Sequence, residues 1–233
     1  MSMKRFVRVK IMVVINHLIA WLRHRKHFGV LRFNIERLVF RMITFFPTTR
    51  HERLKFILKY MPALKMTHWI GLPTLDIGCV DSLLLYELKH RNYRVFGMDM
   101  RDYNSKLPKD ITFIKHDILK PYKPEHQFYY IIATSVIELL GCGVYGEEKV
   151  EDADRIALEN IHAMLLNEGY FILSLPTHIW RAVNSRGYGY GRFMKLIHGL
   201  FYPIEVTQCG GHLCAALIKV VKKDDSKHSN PKA

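Results

Sequence analysis

The sequence predicts an α/β protein whose mostly parallel sheet ends in an antiparallel hairpin and follows a basic helical extension. Three observations carry this reading. Five short apolar runs between residues 74 and 175 alternate with segments long enough for helices, the pattern of strands joined by right-handed crossovers. Two further apolar runs meet at Gly210-Gly211, the signature of a tight hairpin. Cations crowd into the first seventy residues.

Taken in order, residues 3–26 read as a helix, because Phe6, Ile11, Val14, Leu18 and Leu22 recur near helical spacing. After Gly29, Arg32–Phe46 reads as a second helix ending before Pro47, and Thr49–Tyr60 as a third, stopped by Met61-Pro62. The strands follow as Thr74–Ile77, Arg94–Met98, Thr112–Lys115, Tyr130–Thr134 and Tyr170–Leu175. Ser82–His90 and Val150–Leu166 are the clearest helices between them. Ile204–Gln208 and Leu213–Val221 form the hairpin, and Asp224–Ala233 reads as a polar, disordered tail. The organisation is therefore an extension over 1–66, an α/β domain over 67–223 and a tail over 224–233.

Composition supports one such domain. The chain has 233 residues, of which 49% are hydrophobic and 24% charged; that supplies a core and excludes a disordered protein. The net charge of +14 is uneven. Residues 1–70 hold fifteen Lys and Arg against Glu36 and Glu52 alone, while the remainder is almost balanced. A cationic front implies an anionic neighbour, first a membrane surface met by residues 1–66 and second a nucleic acid. The apolar stretch Ile11–Leu22 is shorter than a spanning helix and is broken by Asn16 and His17. A basic amphipathic helix lying on a surface fits it better. Four scattered cysteines read as reduced thiols. The expected location is the cytoplasm, with association at the cytoplasmic face of a membrane.

Leu75-Asp76-Ile77-Gly78-Cys79-Val80-Asp81-Ser82 joins the first strand to the following helix. A ligand approaching the carboxyl end of that strand needs a residue without a side chain, which Gly78 provides. The three spaced glycines of a dinucleotide fingerprint are absent, which argues against an NAD enzyme. Cys209-Gly210-Gly211-His212-Leu213-Cys214 offers soft ligands, but only three lie near one another in a tight turn, so no metal site is expected.

Asp76-x-Gly78 after an apolar strand resembles the first motif of the class I S-adenosylmethionine (SAM)-dependent methyltransferases, over roughly residues 70–222. The likeness extends to Met98-Asp99 at the end of the second strand, His116-Asp117-Ile118 after the third, Leu166–Tyr170 before the fifth, and the terminal hairpin. Ser135–Glu138 followed by Gly141–Gly146 resembles a sparsely characterised branch linked to surface-glycan pathways. Val80 and Ser82 stand where glycines are common, Tyr129 where many members carry an acid, and Gly169-Tyr170 in place of a Gly-Gly pair.

The resemblance implies a Rossmann-like methyltransferase fold and SAM as cofactor. It places the cofactor against Asp76, Gly78, Cys79, Asp99, Met100, Asp117, Ile118 and Ser135, with Asp99 on the ribose hydroxyls and Asp117 near the adenine. Glu138 and His178, just past the fourth and fifth strands, are the candidate bases for an acceptor that must lose a proton. Tyr145 and the aromatic, basic segment containing Trp180, Arg181 and Asn184 are candidate acceptor contacts on a flexible lid. The expected reaction is methyl transfer to a small-molecule or glycan- or lipid-linked acceptor. An RNA methyltransferase and a non-catalytic relative are the alternatives.

Overall fold

A computed structural model describes residues 49–64, 71–82, 84–103, 107–108, 110–179 and 185–221. The helices expected over 3–26 and Arg32–Phe46, the tail from residue 224, and Trp180, Arg181 and Asn184 lie outside the described residues. In chain order the described elements are α1 (Thr49–Tyr60), β1 (Pro73–Ile77), a 3₁₀ turn (Cys79–Asp81), α2 (Leu84–His90), β2 (Arg94–Asp99), β3 (Ile111–Lys115) and β4 (Phe128–Thr134). They continue with α3 (Ala153–Met164), β5 (Leu165–Pro176), α4 (Tyr190–Ile197), β6 (Phe201–Cys209) and β7 (His212–Lys219). No described helix is long and apolar enough to cross a membrane.

The described strands form one sheet in the order β3-β2-β1-β4-β5-β7-β6. Strands β1 to β5 run parallel, and β7 enters antiparallel between β5 and β6. This is the mostly parallel sheet with a terminal hairpin that the sequence implies. A parallel sheet is buried on both faces, and the side chains divide accordingly. Leu75, Ile77, Met98, Ile131 and Phe171 pack with Leu158 and Ile161 of α3 and Phe193 of α4. On the opposite face Val95, Ile132, Ile172 and Ala216 meet Leu85 and Leu88 of α2 and Leu54 and Ile57 of α1.

Helix α1 belongs to this body. Besides its buried apolar residues, its end is tied to the edge strand, where Glu205 accepts from both Lys59 and Tyr60. The packed body therefore includes residues ahead of the boundary expected at residue 66. A second difference lies at α4. Glycines at 187, 189 and 191 read as a loop, yet the segment from Tyr190 is helical, because its apolar positions fall on one face and Phe193 and Ile197 are buried. Tyr188 anchors the approach to this helix by donating to Asp154 Oδ2 at 2.7 Å in the interior.

Strand order reverses between β1 and β4, which flank each other while the chain leaves to opposite sides. In open α/β sheets the crevice at such a point, beyond the carboxyl ends of the strands, is where ligands bind.

Candidate ligand site

A cavity of about 1140 Å³ opens at that crevice, ample for a nucleoside-sized ligand together with a second small molecule. Ile77, Gly78 and Asp99 line it from the first two strands, Thr134 and Glu138 from the fourth, and Arg53 from α1.

Gly78 sits at the bend out of β1 with φ 73° and ψ 37°, a left-handed conformation that glycine adopts at little cost. Its amide donates to Met98 O at 2.8 Å, holding the turn to β2. A Cβ there would lie 2.3 Å from Val136 Cγ2. The glycine is thus required both by its backbone angle and by the space around it. Cys79 turns the other way. It is fully buried, and its sulfur packs beneath Gly97, where an added Cβ would approach it to 2.6 Å. Its side chain therefore takes no part in lining the cavity.

Asp99 reaches the cavity wall, but both of its oxygens are already engaged. Oδ1 accepts from the Arg101 amide and Nε, each at 3.0 Å. Oδ2 accepts from Val80 N at 3.1 Å and Arg101 Nη2 at 3.0 Å. A carboxylate offers about four acceptor positions, so this one is filled. The Arg101 guanidinium also lies over the Tyr145 ring, 4.6 Å from its centroid. That loop is in turn drawn together by Glu147, which accepts from the amides of Gly143, Val144 and Tyr145. Asp76, expected among the cofactor contacts, is buried with Oδ2 unpartnered and does not line the cavity. Burial, and after it the proximity of Asp99, raises the Asp76 carboxyl to about 7 against the pull of a hydrogen bond from Ser82.

The remaining expected contacts divide clearly. Met100, Asp117 and Ile118 all line the cavity, with Asp117 Oδ1 accepting from Leu119 N at 3.0 Å and so shaping the turn after β3. Ser135, at φ 53°, lines it beyond β4 and accepts from the Arg53 guanidinium. Tyr145 and His178 stand exposed at its mouth.

Glu138 is buried, with Oε2 unpartnered. Desolvation pushes its carboxyl up to about 7, opposed by its own backbone amide and by the Arg53 charge. Arg53 and His212 complete this end of the cavity, and the sequence reading singled out neither as a ligand contact. Arg53 Nε and His212 Nδ1 are buried and unpartnered like Glu138 Oε2. Burial, helped by the Arg53 charge, holds the His212 imidazole down at about 4, so it is neutral. No group of three or more His, Cys, Asp or Glu among the described residues is arranged to hold a metal ion.

No family model matches the chain, and no curated protein matches its sequence. Solved structures do match its fold. The N-methyltransferase NodS from Bradyrhizobium japonicum is 17% identical, with 73% of this chain and 95% of that one covered at a TM-score of 0.57. The 1,6-didemethyltoxoflavin-N1-methyltransferase from Burkholderia thailandensis, solved with its acceptor and S-adenosylhomocysteine, is 14% identical over 74% and 78% at 0.56. A TehB-like SAM-dependent methyltransferase from Corynebacterium glutamicum is 19% identical over 72% and 88% at 0.52. The described body therefore has the fold of the class I methyltransferases.

Proposed function

We propose that the chain is a SAM-dependent methyltransferase acting on a small-molecule acceptor. The observation that carries this reading is the crevice beside Gly78. Gly78, packed against Val136, presents backbone alone to the cavity at the bend after β1, at the reversal point where this fold takes nucleotide-like molecules. The residues present fit SAM. Gly78 gives the bend a backbone surface, and Met100 and Ile118 offer apolar walls for an adenine. The solved neighbours include methyltransferases crystallised with the demethylated product, which supports the same cofactor here.

When bound, SAM would supply an activated methyl group; the chain's own work is then to align an acceptor and to manage its proton. In-line displacement depends mainly on holding nucleophile and methyl at near-contact distance. Ser135 and Glu138, just past β4, face the acceptor end of the cavity. Glu138 is positioned to take a proton from an acceptor hydroxyl or amine, and a carboxyl near 7 is matched to that task at neutral pH. His178, exposed at the mouth of the cavity, is the second candidate base. Calorimetric titration with S-adenosylhomocysteine tests the cofactor assignment: one-to-one binding is expected, and an absence of binding overturns it.

One observation favours a second reading, that of a non-catalytic relative. The acceptor positions of Asp99 are occupied by Arg101 and Val80, so ribose hydroxyls reach this carboxylate only after Arg101 swings out. The same titration separates the two readings. We further place the cationic front on an anionic membrane, which would bring the enzyme to glycan- or lipid-linked acceptors. Full-length protein is expected to bind phosphatidylserine vesicles and to lose them when Lys4, Arg5, Arg8 and Lys10 are all replaced by Gln. Retention of the vesicles by that variant, or preferential salt-dependent binding of RNA, refutes the placement.

A further inference from the structure

The end of the cavity beyond β4 holds three buried polar atoms without partners: Arg53 Nε, Glu138 Oε2 and His212 Nδ1. They come from three stretches of chain that meet only in the folded protein. Arg53 extends from α1 and donates to Ser135 at the end of β4; Glu138 lies in the turn that follows. His212 opens β7 opposite Pro176 of β5, and the hairpin is pinned there by Thr177, whose amide and hydroxyl both donate to Gly211 O. Buried polar atoms in native proteins nearly always have partners. Three unpartnered atoms converging on one cavity are open to a ligand.

Their chemistry narrows that ligand. The Nε–H of a guanidinium only donates, so the ligand must present an acceptor atom to it. Among the described residues lining this end, Arg53 is the one permanently positive group. The neighbouring imidazole is neutral and adds no charge. A planar guanidinium that keeps free donors favours an oxyanion. Glu138 stands close enough to feel the Arg53 charge, so a doubly charged phosphate is repelled more strongly than a singly charged carboxylate. Position sets the His212 side of this site apart from the cofactor. Strands lie about 4.8 Å apart, so β7, three places from β1 in the sheet, is roughly 14 Å from the Gly78 bend. Arg53 stands nearer, at the end of β4.

We infer that Arg53, at the end of the cavity it shares with Glu138 and His212, forms an acceptor subsite that grips a carboxylate on a small acceptor molecule. This rests on the methyltransferase reading for the word acceptor, but the subsite itself is testable without it.

The experiment titrates benzoate, benzamide and phenyl phosphate into the full-length chain, with and without saturating S-adenosylhomocysteine, by ligand-observed NMR. Benzoate is expected to outbind both others. Arg53→Gln is expected to weaken benzoate about tenfold or more, the effect of removing a charged hydrogen-bond donor, and to leave S-adenosylhomocysteine affinity within about threefold. Equal binding of benzoate and benzamide, stronger binding of phenyl phosphate, or unchanged benzoate affinity in Arg53→Gln overturns the proposal. So does a joint loss of benzoate and S-adenosylhomocysteine, which would assign Arg53 to the cofactor. If the wild-type chain ignores S-adenosylhomocysteine, the enzymatic reading fails, and the benzoate series still decides the subsite. Should Arg53→Gln fail to fold, Glu138→Gln supplies the answer at pH 8. Removing the competing anion is expected to tighten benzoate severalfold and leave benzamide alone; no tightening refutes the assignment.

Discussion

The two ends of the cavity are built on opposite plans. Toward β2 and β3 the carboxylates that reach the wall are already supplied with donors. Asp99 holds four hydrogen bonds from Val80 and Arg101, and Asp117 caps its own turn. Toward β4, β5 and β7 the buried polar atoms stand open, with Arg53, Glu138 and His212 each missing a partner. Satisfied groups fix the shape of a wall, whereas each buried unsatisfied group costs about 1–3 kcal/mol. A fold keeps such a cost where a ligand removes it. In the proposed reading the first end is a scaffold for a ligand that is always the same, and the second is where selectivity resides.

The sharpest way to break this division is at its hinge. Gly78→Val forces a side chain into Val136 and onto a left-handed backbone. S-adenosylhomocysteine affinity is expected to fall more than about a hundredfold, since the strain alone is worth roughly 1–2 kcal/mol and the bend must shift as well. Val136→Ala in the same chain is expected to recover part of the loss. Retained affinity in the single variant would show that the bend is not where the ligand lies.

Next in size is a pH effect. The Glu138 carboxyl rises from 4.5 to about 7 on folding, so between those values the folded state holds a proton that the unfolded state has released. Stability accordingly falls as pH rises from 4.5 to 7 and levels off above. Each pH unit across that window costs about 1.4 kcal/mol, a few kcal/mol in all. Asp76, raised from 3.8 to about 7 by burial, acts in the same direction. Urea denaturation at pH 5 and pH 8 is expected to show the decline, and Glu138→Gln to reduce it. An equal slope in that variant would show that Glu138 is not the buried acid.

Arg101→Ala tests whether the saturated end is closed by its own residues. Freed of the guanidinium, Asp99 has acceptor positions for ribose hydroxyls, and S-adenosylhomocysteine is expected to bind severalfold tighter by calorimetry. Weaker binding would make Arg101 part of the ligand surface. Smallest of all at the cavity is Tyr188→Phe, which removes the 2.7 Å bond to Asp154. It is expected to lower stability by about 1–2 kcal/mol and to leave ligand affinity unchanged.

What the sequence made legible follows from how local each signal is. Strands β1, β2 and β4 show as apolar runs because both faces of the sheet are covered. Gly78 and Asp99 were readable because a strand end places them in register with the crevice. Helix α4 was obscured by its glycines, which suggest a loop until the burial of Phe193 and Ile197 is known. Arg53 and His212 were hidden for a different reason. Arg53 meets Ser135 across 82 positions of chain, from a helix that charge alone groups with the basic extension. His212 reads as turn chemistry between two glycines and a leucine. No spacing rule links such residues; only the packing of α1 over the sheet and the return of β7 brings them together.

That return has a consequence for how the protein is made. Because β7 slots between β5 and β6 and carries His212 to the far wall, the cavity is completed only by the last of the described strands. A chain emerging from the ribosome can pair β1 through β5, yet it exposes the bare edge of β5 until residues 212–219 arrive. Nascent molecules thus pass through a stage with a nearly complete sheet, one sticky flank and a half-walled pocket, and the finished hairpin removes both faults in one step.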